Sequence, residues 1–338
     1  MTPSTTGPAL HVPARDIPVP TSVSPEAQAV LALGLVGPPP VWPALDDPDG
    51  WRTYVAEQEK QALGLFDFTK PADGAQVEDL DVDGVRVYAV TPDGVAADDE
   101  RVYLEIHGSG FIAGGGAMCR SMAVDTAKQV RATVWSVDYR MPPGHPYPAA
   151  LDDCLAVYRT LLADRRPGQV IIGGPSAGGN LAAALILRAR DEGLPLPAAA
   201  VLATPAVDLT GAGDSWRTNL GIDNTLTGSF EPPFALYAGG HDLRDPYLSP
   251  LFGDLSKGFP PTILLTGTRD LLLSDTVRMH RALRAAGIPA DLHVFEAAGH
   301  AMFFGTAPEE RERTREIRAF CDRHWSRSSP VDAAEPEC

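Results

Sequence analysis

The stretch from Val170 to Asn180 constrains this chain more than any other. Val170-Ile171-Ile172 is an apolar run one buried strand long, and it leads through Gly173 into Gly174-Pro175-Ser176-Ala177-Gly178, a G-x-S-x-G pattern. Leu181 to Leu187 follows as a strong helix former. Strand, sharp turn and helix in that order place Ser176 on a turn so tight that residues two positions to either side cannot carry a bulky Cβ. Gly174 and Gly178 meet that condition. The Ser176 hydroxyl then stands at the end of a strand and at the positive end of a helix dipole, where negative charge is favoured. Five-residue patterns recur by chance, and a solvent-facing serine on a Gly-rich turn is the competing reading.

The rest of the chain supplies the sheet that such a turn needs. Val77 to Val82, Asp83-Gly84 and Val85 to Val90 read as a hairpin with a favoured turn dipeptide. Short apolar strands follow at Val102–Ile106, Thr133–Val137, Val170–Ile172, Ala199–Ala203, Thr262–Thr266 and Asp291–Phe295. Helical segments separate most of them, at Met122–Val130, Ala149–Leu162, Leu181–Arg190 and Ser274–Ala286. Strands apolar on both faces and alternating with helices predict an α/β fold with a mostly parallel central sheet, helices on both faces and an antiparallel hairpin at its start.

Two helices precede any strand. The first has Ser24 as N-cap and Pro25 at its first position, and the second runs from about Asp47-Pro48 toward Gly64. They belong either to a separate layer or to a lid. Residues 206–258 break the rhythm with Gly, Asp, Pro and aromatics, as an insertion would. The expected organisation is an arm and cap helices over 1–70, core over 71–205, a cap or lid insertion over 206–258, core over 259–325 and a disordered tail over 326–338.

Composition excludes several classes of partner. The formal net charge is −16, and no lysine or arginine cluster appears, which argues against nucleic acid and anionic membrane surfaces. Cys119, Cys154, Cys321 and Cys338 have no C-x-x-C spacing, so neither a disulfide framework nor a zinc site is expected, and no metal or cofactor is implied. The first twenty or so residues lack the apolar run of a signal peptide, and no stretch approaches the ~18 apolar residues of a membrane span. A cytoplasmic protein is the expectation; a homodimer is left open.

A nucleophilic serine needs a base, and the base needs an orienter. Thr262 to Thr266 runs into Gly267-Thr268-Arg269-Asp270, and Asp291 to Phe295 runs into Glu296-Ala297-Ala298-Gly299-His300. Both put a candidate just past a strand end, in the order Ser, acid, His. Asp275 is the rival acid, and Asp270 on its own would read as a helix cap. Two sources of an oxyanion hole are visible: the Ala177 amide, and the loop His107-Gly108-Ser109-Gly110-Phe111 after Ile106. No phosphate-binding glycine motif is present.

Taken together these motifs resemble the hormone-sensitive-lipase family, the bacterial type IV esterases of the α/β-hydrolase fold. His107-Gly108-Ser109-Gly110 resembles the family's H-G-G-G, and Gly174 to Asn180 its G-D-S-A-G-G-N. Asp138-Tyr139-Arg140 with Pro146 to Ala150, and Asp245-Pro246 with Ser249-Pro250, are similar to further family motifs. The resemblance spans residues 24 to 325. It implies a triad of Ser176, Asp270 and His300, an oxyanion hole from the amides of Gly108, Ser109 and Ala177, and His107, Gly110, Gly174 and Gly178 as positioning residues. Pro175 stands where an acidic residue is usual, as in a subgroup similar to monoterpene ε-lactone hydrolases, so a cyclic ester is an expected substrate beside short- and medium-chain esters. Trp42, Trp51, Tyr54 and Phe66, with Trp216, Phe230 and Phe234, would line an apolar pocket. The alternatives are an amidase or peptidase and a non-catalytic ligand-binding homologue; retention of His300 weighs against the latter.

Overall fold

The structure is a computed structural model and describes residues 8–65, 72–305 and 307–325. Phe66, Cys338 and the tail from 326 lie outside the described residues. Strands β1 (Ala75–Val82) and β2 (Val85–Pro92) form the hairpin, with Asp83 and Gly84 at φ 53° and 84° in its turn. The others are β3 (Val102–Ile106), β4 (Thr133–Asp138), β5 (Val170–Pro175), β6 (Ala199–Ala203), β7 (Thr262–Gly267) and β8 (Ala290–Phe295). They build one eight-stranded sheet in the order β1-β2-β4-β3-β5-β6-β7-β8. The β1–β2 and β2–β4 pairings are antiparallel and all later ones parallel.

Successive strand residues point to opposite faces, and both faces here are apolar. Leu104, Ile172, Leu202 and Leu264 enter one core; their neighbours Tyr103, Ile171, Val201 and Ile263 enter the other. Helices α4 (Ala149–Asp164), α5 (Ala177–Asp191) and α8 (Leu273–Ala285) cover the first face. Helices α1 (Pro25–Ala32), α3 (Ala117–Val130) and α9 (Pro308–His324) cover the second. Each buried Leu or Ile is worth about 1.5–3 kcal/mol, so an inner strand with two covered faces has little room for a polar side chain. Glu105 on β3 is an exception: it is buried, and desolvation pushes its carboxyl up to about 7 against a hydrogen bond from Thr126 Oγ1.

Ser24 caps α1, its Oγ accepting from Ala27 N at 3.1 Å, and also donates to Glu309 Oε2 at 2.8 Å. That contact ties α1 to α9, so the first helix belongs to a layer against the sheet. Helix α2 (Pro48–Leu65) sits elsewhere, and its Trp51 and Tyr54 gather with Trp42 and Phe230. Residues 206–258 contain two short helices that periodicity did not reveal, α6 (Ser215–Thr218) and α7 (Glu231–Ala238). Pro232-Pro233 and a left-handed Gly239 confine α7 to about two turns, too short for a periodic signal. Helix α3 starts at Ala117, earlier than expected, because Gly116 at φ 59° turns the chain into it. Among the described residues no helix is long and apolar enough to cross a membrane.

Candidate active site

Ser176 directly follows β5 and stands at the N-cap of α5 with φ 55° and ψ −119°, a strained conformation for a residue with a Cβ. The main chain holds it there: Ser176 N donates to Ala203 O at 2.9 Å, and Ala206 N donates to Ser176 O at 3.2 Å. The flanking glycines are required by close approach. A Cβ on Gly174 would lie 2.1 Å from Ile106 O, and one on Gly178 only 1.9 Å from the same carbonyl. The elbow thus packs directly on the end of β3.

The loop leaving β3 crosses in front of it. A Cβ on Gly108 would lie 3.0 Å from Pro175 O and 3.5 Å from Ser176 Cβ, so this backbone passes against the serine. Ser109, Gly110 and Phe111 follow with φ of 77°, 66° and 67°, and Ser109 O accepts from Ile112 N and Ala113 N. Consecutive left-handed residues of this kind aim amide groups into a concavity. Ala177, the first residue of α5, offers an amide with no acceptor inside the helix.

Asp270 follows β7 and His300 follows β8. Asp270 Oδ1 lies 3.0 Å from His300 Nδ1 and accepts from Leu272 N at 2.9 Å, while Oδ2 accepts from Thr266 Oγ1 at 2.7 Å. The carboxylate is fully buried. Burial lowers the His300 pKa, but the charge of Asp270, its hydrogen bond and the charge of Asp223 outweigh burial and Arg313, and the net shift is upward from the ordinary imidazole value. Pro175, Thr204, Thr266, His300 and Arg313 help to line a cavity of about 150 Å³. Among the hydrogen bonds of the described residues none joins Ser176 Oγ to the imidazole; contacts of this kind commonly tighten only in the Michaelis complex.

The α/β hydrolase fold family model matches residues 103–304, which hold the elbow, the Gly108 loop, Asp270 and His300. The chain belongs to the α/β-hydrolase fold family. It is 34% identical over 229 residues to an acetyl-hydrolase of Streptomyces hygroscopicus, covering 67% of this chain and 76% of the relative. An esterase of Acinetobacter venetianus is 33% identical over 255 residues, covering 72% and 81% respectively. Among solved structures, the esterase E25 superposes with a TM-score of 0.85 at 37% identity, covering 94% of this chain and 99% of that one. An esterase from the bacterial hormone-sensitive lipase family gives 0.75 at 31% identity over 90% and 99%.

In this α/β hydrolase the rival acid is engaged elsewhere. Asp275 Oδ2 accepts from Asp208 N at 3.0 Å and Oδ1 from Trp216 Nε1 at 3.1 Å, and burial pushes its carboxyl up to about 8. His107 is buried and stacks on Tyr139 with ring centroids 4.0 Å apart, and burial lowers it to about 4, so the ring is neutral. Tyr139 Oη donates to His107 O at 2.9 Å, which explains the Asp138-Tyr139-Arg140 motif as a prop for the loop. His107, Cys119 and Asp138 bring ligand-type atoms within 4.8 Å of one another. His107 Nδ1 is engaged by Gly108 O, Cys119 by Ser136 Oγ and Asp138 by Gly116 N, so the trio reads as part of the loop's scaffold. The Phe111 ring stacks on Tyr237 at 4.1 Å and meets Phe234, which packs on Trp216; these join the Gly108 loop to residues 206–258. Sequence reasoning did not single out Thr266 or Asp223 in the hydrolase site; neither carries a local signal beyond a strand end and an Asp-Asn turn.

Proposed function

We propose that the protein is a serine carboxylester hydrolase acting on short- to medium-chain or cyclic esters through an acyl-enzyme. Ser176 Oγ attacks the ester carbonyl carbon while His300 Nε2 takes its proton. The tetrahedral oxyanion lies among the amides of Gly108, Ser109 and Ala177, where each donor is worth about 2.7–4 kcal/mol. His300 then protonates the leaving alkoxide as the C–O bond breaks, and the alcohol departs. Water attacks the acyl carbon with His300 again as base, the acid is released and the proton returns to Ser176. Asp270 holds the Nδ1–H tautomer and stabilises the imidazolium.

The observation that carries this reading is the 3.0 Å Asp270–His300 contact, made by residues from two strand ends, with His300 sharing a cavity with Pro175, the residue before a serine held at φ 55°. Similarity to an acetyl-hydrolase and to esterases supports the reaction class and favours small acyl groups. Trp42, Trp51, Tyr54 and Phe230, clustered with ring centroids 5.0–6.0 Å apart, are proposed as a wall of the substrate entrance contributed by the segments 1–70 and 206–258. Pro175 motivates the lactone substrate as the finer proposal.

Hydrolysis rates across p-nitrophenyl acetate to palmitate, together with ε-lactones, test the reading. Rates are expected to peak at short or medium chains, and Ser176→Ala to lose both turnover and labelling by a fluorophosphonate. A preference for long-chain emulsions, or full activity in Ser176→Ala, would overturn it.

A further inference from the structure

Asp223 belongs to the segment between β6 and β7, remote in sequence from Ser176, Asp270 and His300, and it is fully buried. Its Oδ2 accepts from Leu271 N at 2.9 Å and from His300 N at 3.2 Å. Its Oδ1 accepts from Thr225 N at 2.9 Å, Leu226 N at 3.1 Å and, more weakly, His300 N at 3.3 Å. One carboxylate therefore grips the peptide just after Asp270 and the peptide of His300, while two amides of its own loop fix it in place. Taking a carboxylate out of water is costly, and so many donors spent on one group point to a position that must not drift.

Two neighbours in the same segment act on the same loop. Ser215 Oγ donates to Leu271 O at 2.7 Å, and Asn219 Nδ2 donates to Asp270 O at 2.8 Å. Of these three residues, Asp223 alone hydrogen-bonds to both loops, which also meet directly through Arg269 N to Ala298 O at 3.0 Å and Ala297 N to Thr268 Oγ1 at 2.8 Å. The approach is close at Gly299, where a Cβ would lie 2.5 Å from the side-chain oxygen Asn224 Oδ1 and 3.1 Å from Asp223 Oδ1.

We propose that Asp223 is a positioning residue for ester hydrolysis: it locks the Asp270 and His300 loops in register, and its charge supports the imidazolium formed when the Ser176 proton is taken. The proposal rests on the triad reading above. The charged groups acting on the His300 ring are Asp270, Asp223 and Arg313; the two carboxylates favour the protonated ring, and Arg313 and burial oppose it.

The experiment compares Asp223→Asn and Asp223→Ala with the wild-type chain, using p-nitrophenyl acetate kinetics over a pH series, fluorophosphonate labelling and thermal melting. Asp223→Ala is expected to lose about 10- to 100-fold in kcat, the cost of a slightly misplaced base, with KM little changed. The acid limb of kcat/KM moves to lower pH in both variants, because removing an anion disfavours the imidazolium. Asn keeps one acceptor oxygen and no charge, so it recovers part of kcat without recovering the acid limb. Unchanged kcat and acid limb in labelled, folded variants overturn the proposal and leave the triad reading intact. A kcat loss with an unmoved acid limb, or failure of both variants to fold, overturns it as well, since the carboxylate would then serve the fold. Absence of Ser176 labelling in the wild-type chain instead defeats the triad reading, and this proposal with it.

Discussion

Asp270 and His300 meet Oδ1 to Nδ1 at 3.0 Å, and Thr266 Oγ1 occupies the aspartate's other oxygen at 2.7 Å. With Leu272 N also donating to Oδ1, the carboxylate has one orientation open to it. A buried acceptor held on both oxygens presents its charge to the ring without reorganising during a proton transfer.

Asp270→Asn removes that charge and reverses the donor geometry at Nδ1. We expect kcat to fall by about 10³- to 10⁴-fold, as for loss of the orienting carboxylate in other hydrolases of this type. The pH profile moves as well. In the wild-type chain the His300 pKa lies above the ordinary imidazole value, so the acid limb of kcat/KM lies there too. With Asp270 neutralised, burial is the largest remaining influence and pulls the pKa down, so the residual activity extends to lower pH. Initial rates across pH check both parts, and an acid limb that stays in place contradicts the assignment.

Thr266→Val keeps shape and removes the donor to Asp270 Oδ2. An unsatisfied buried oxygen costs about 1–3 kcal/mol, to be read by urea denaturation. A smaller, severalfold loss in kcat is expected to accompany it. A variant as stable and as active as the parent would show that the hydroxyl contributes nothing.

Gly178→Ala tests the packing of the elbow. The added Cβ lies 1.9 Å from Ile106 O, a backbone atom at the end of the inner strand β3 that cannot step aside. Destabilisation of about 3 kcal/mol or more is expected, seen as loss of soluble protein or a large drop in melting temperature. Gly174→Ala, whose Cβ meets the same carbonyl at 2.1 Å, follows suit.

Glu105 makes stability depend on pH. Its carboxyl is raised from 4.5 to about 7 in the folded chain, so between those values the native state binds more protons than the unfolded state. Stability therefore falls as pH rises through that window, and the full penalty, on the order of 3 kcal/mol, applies above it. Glu105→Gln removes its share of the dependence and leaves that of Asp275, whose carboxyl is raised to about 8. Denaturation midpoints at pH 5 and pH 8 are expected to converge in the variant relative to wild type, and an unchanged gap would count against the buried charge as its source.

Much of this is legible in the amino-acid sequence. The inner strands occur where apolar runs place them, because a strand covered on both faces leaves a strong local signal, and the Asp83-Gly84 turn marks the hairpin that adds the more exposed β1. The elbow was equally legible, since glycine spacing reports a backbone conformation that few other residues adopt. The short helices α6 and α7 were not, being below the length at which helical periodicity can be recognised.

The sequence alone determined the α/β class, the serine on its turn, and the set of strand-end residues from which a base and an acid are drawn. The tertiary structure decided which carboxylate faces the imidazole: Asp270 does, while Asp275, a few residues on, bonds to Asp208 N and Trp216. It also decided that Asp223 joins the two loops and that Tyr139 props the Gly108 loop. Periodicity and turn chemistry are written locally along the chain, whereas a hydrogen bond between residues dozens of positions apart depends on how the whole sheet brings its strand ends together.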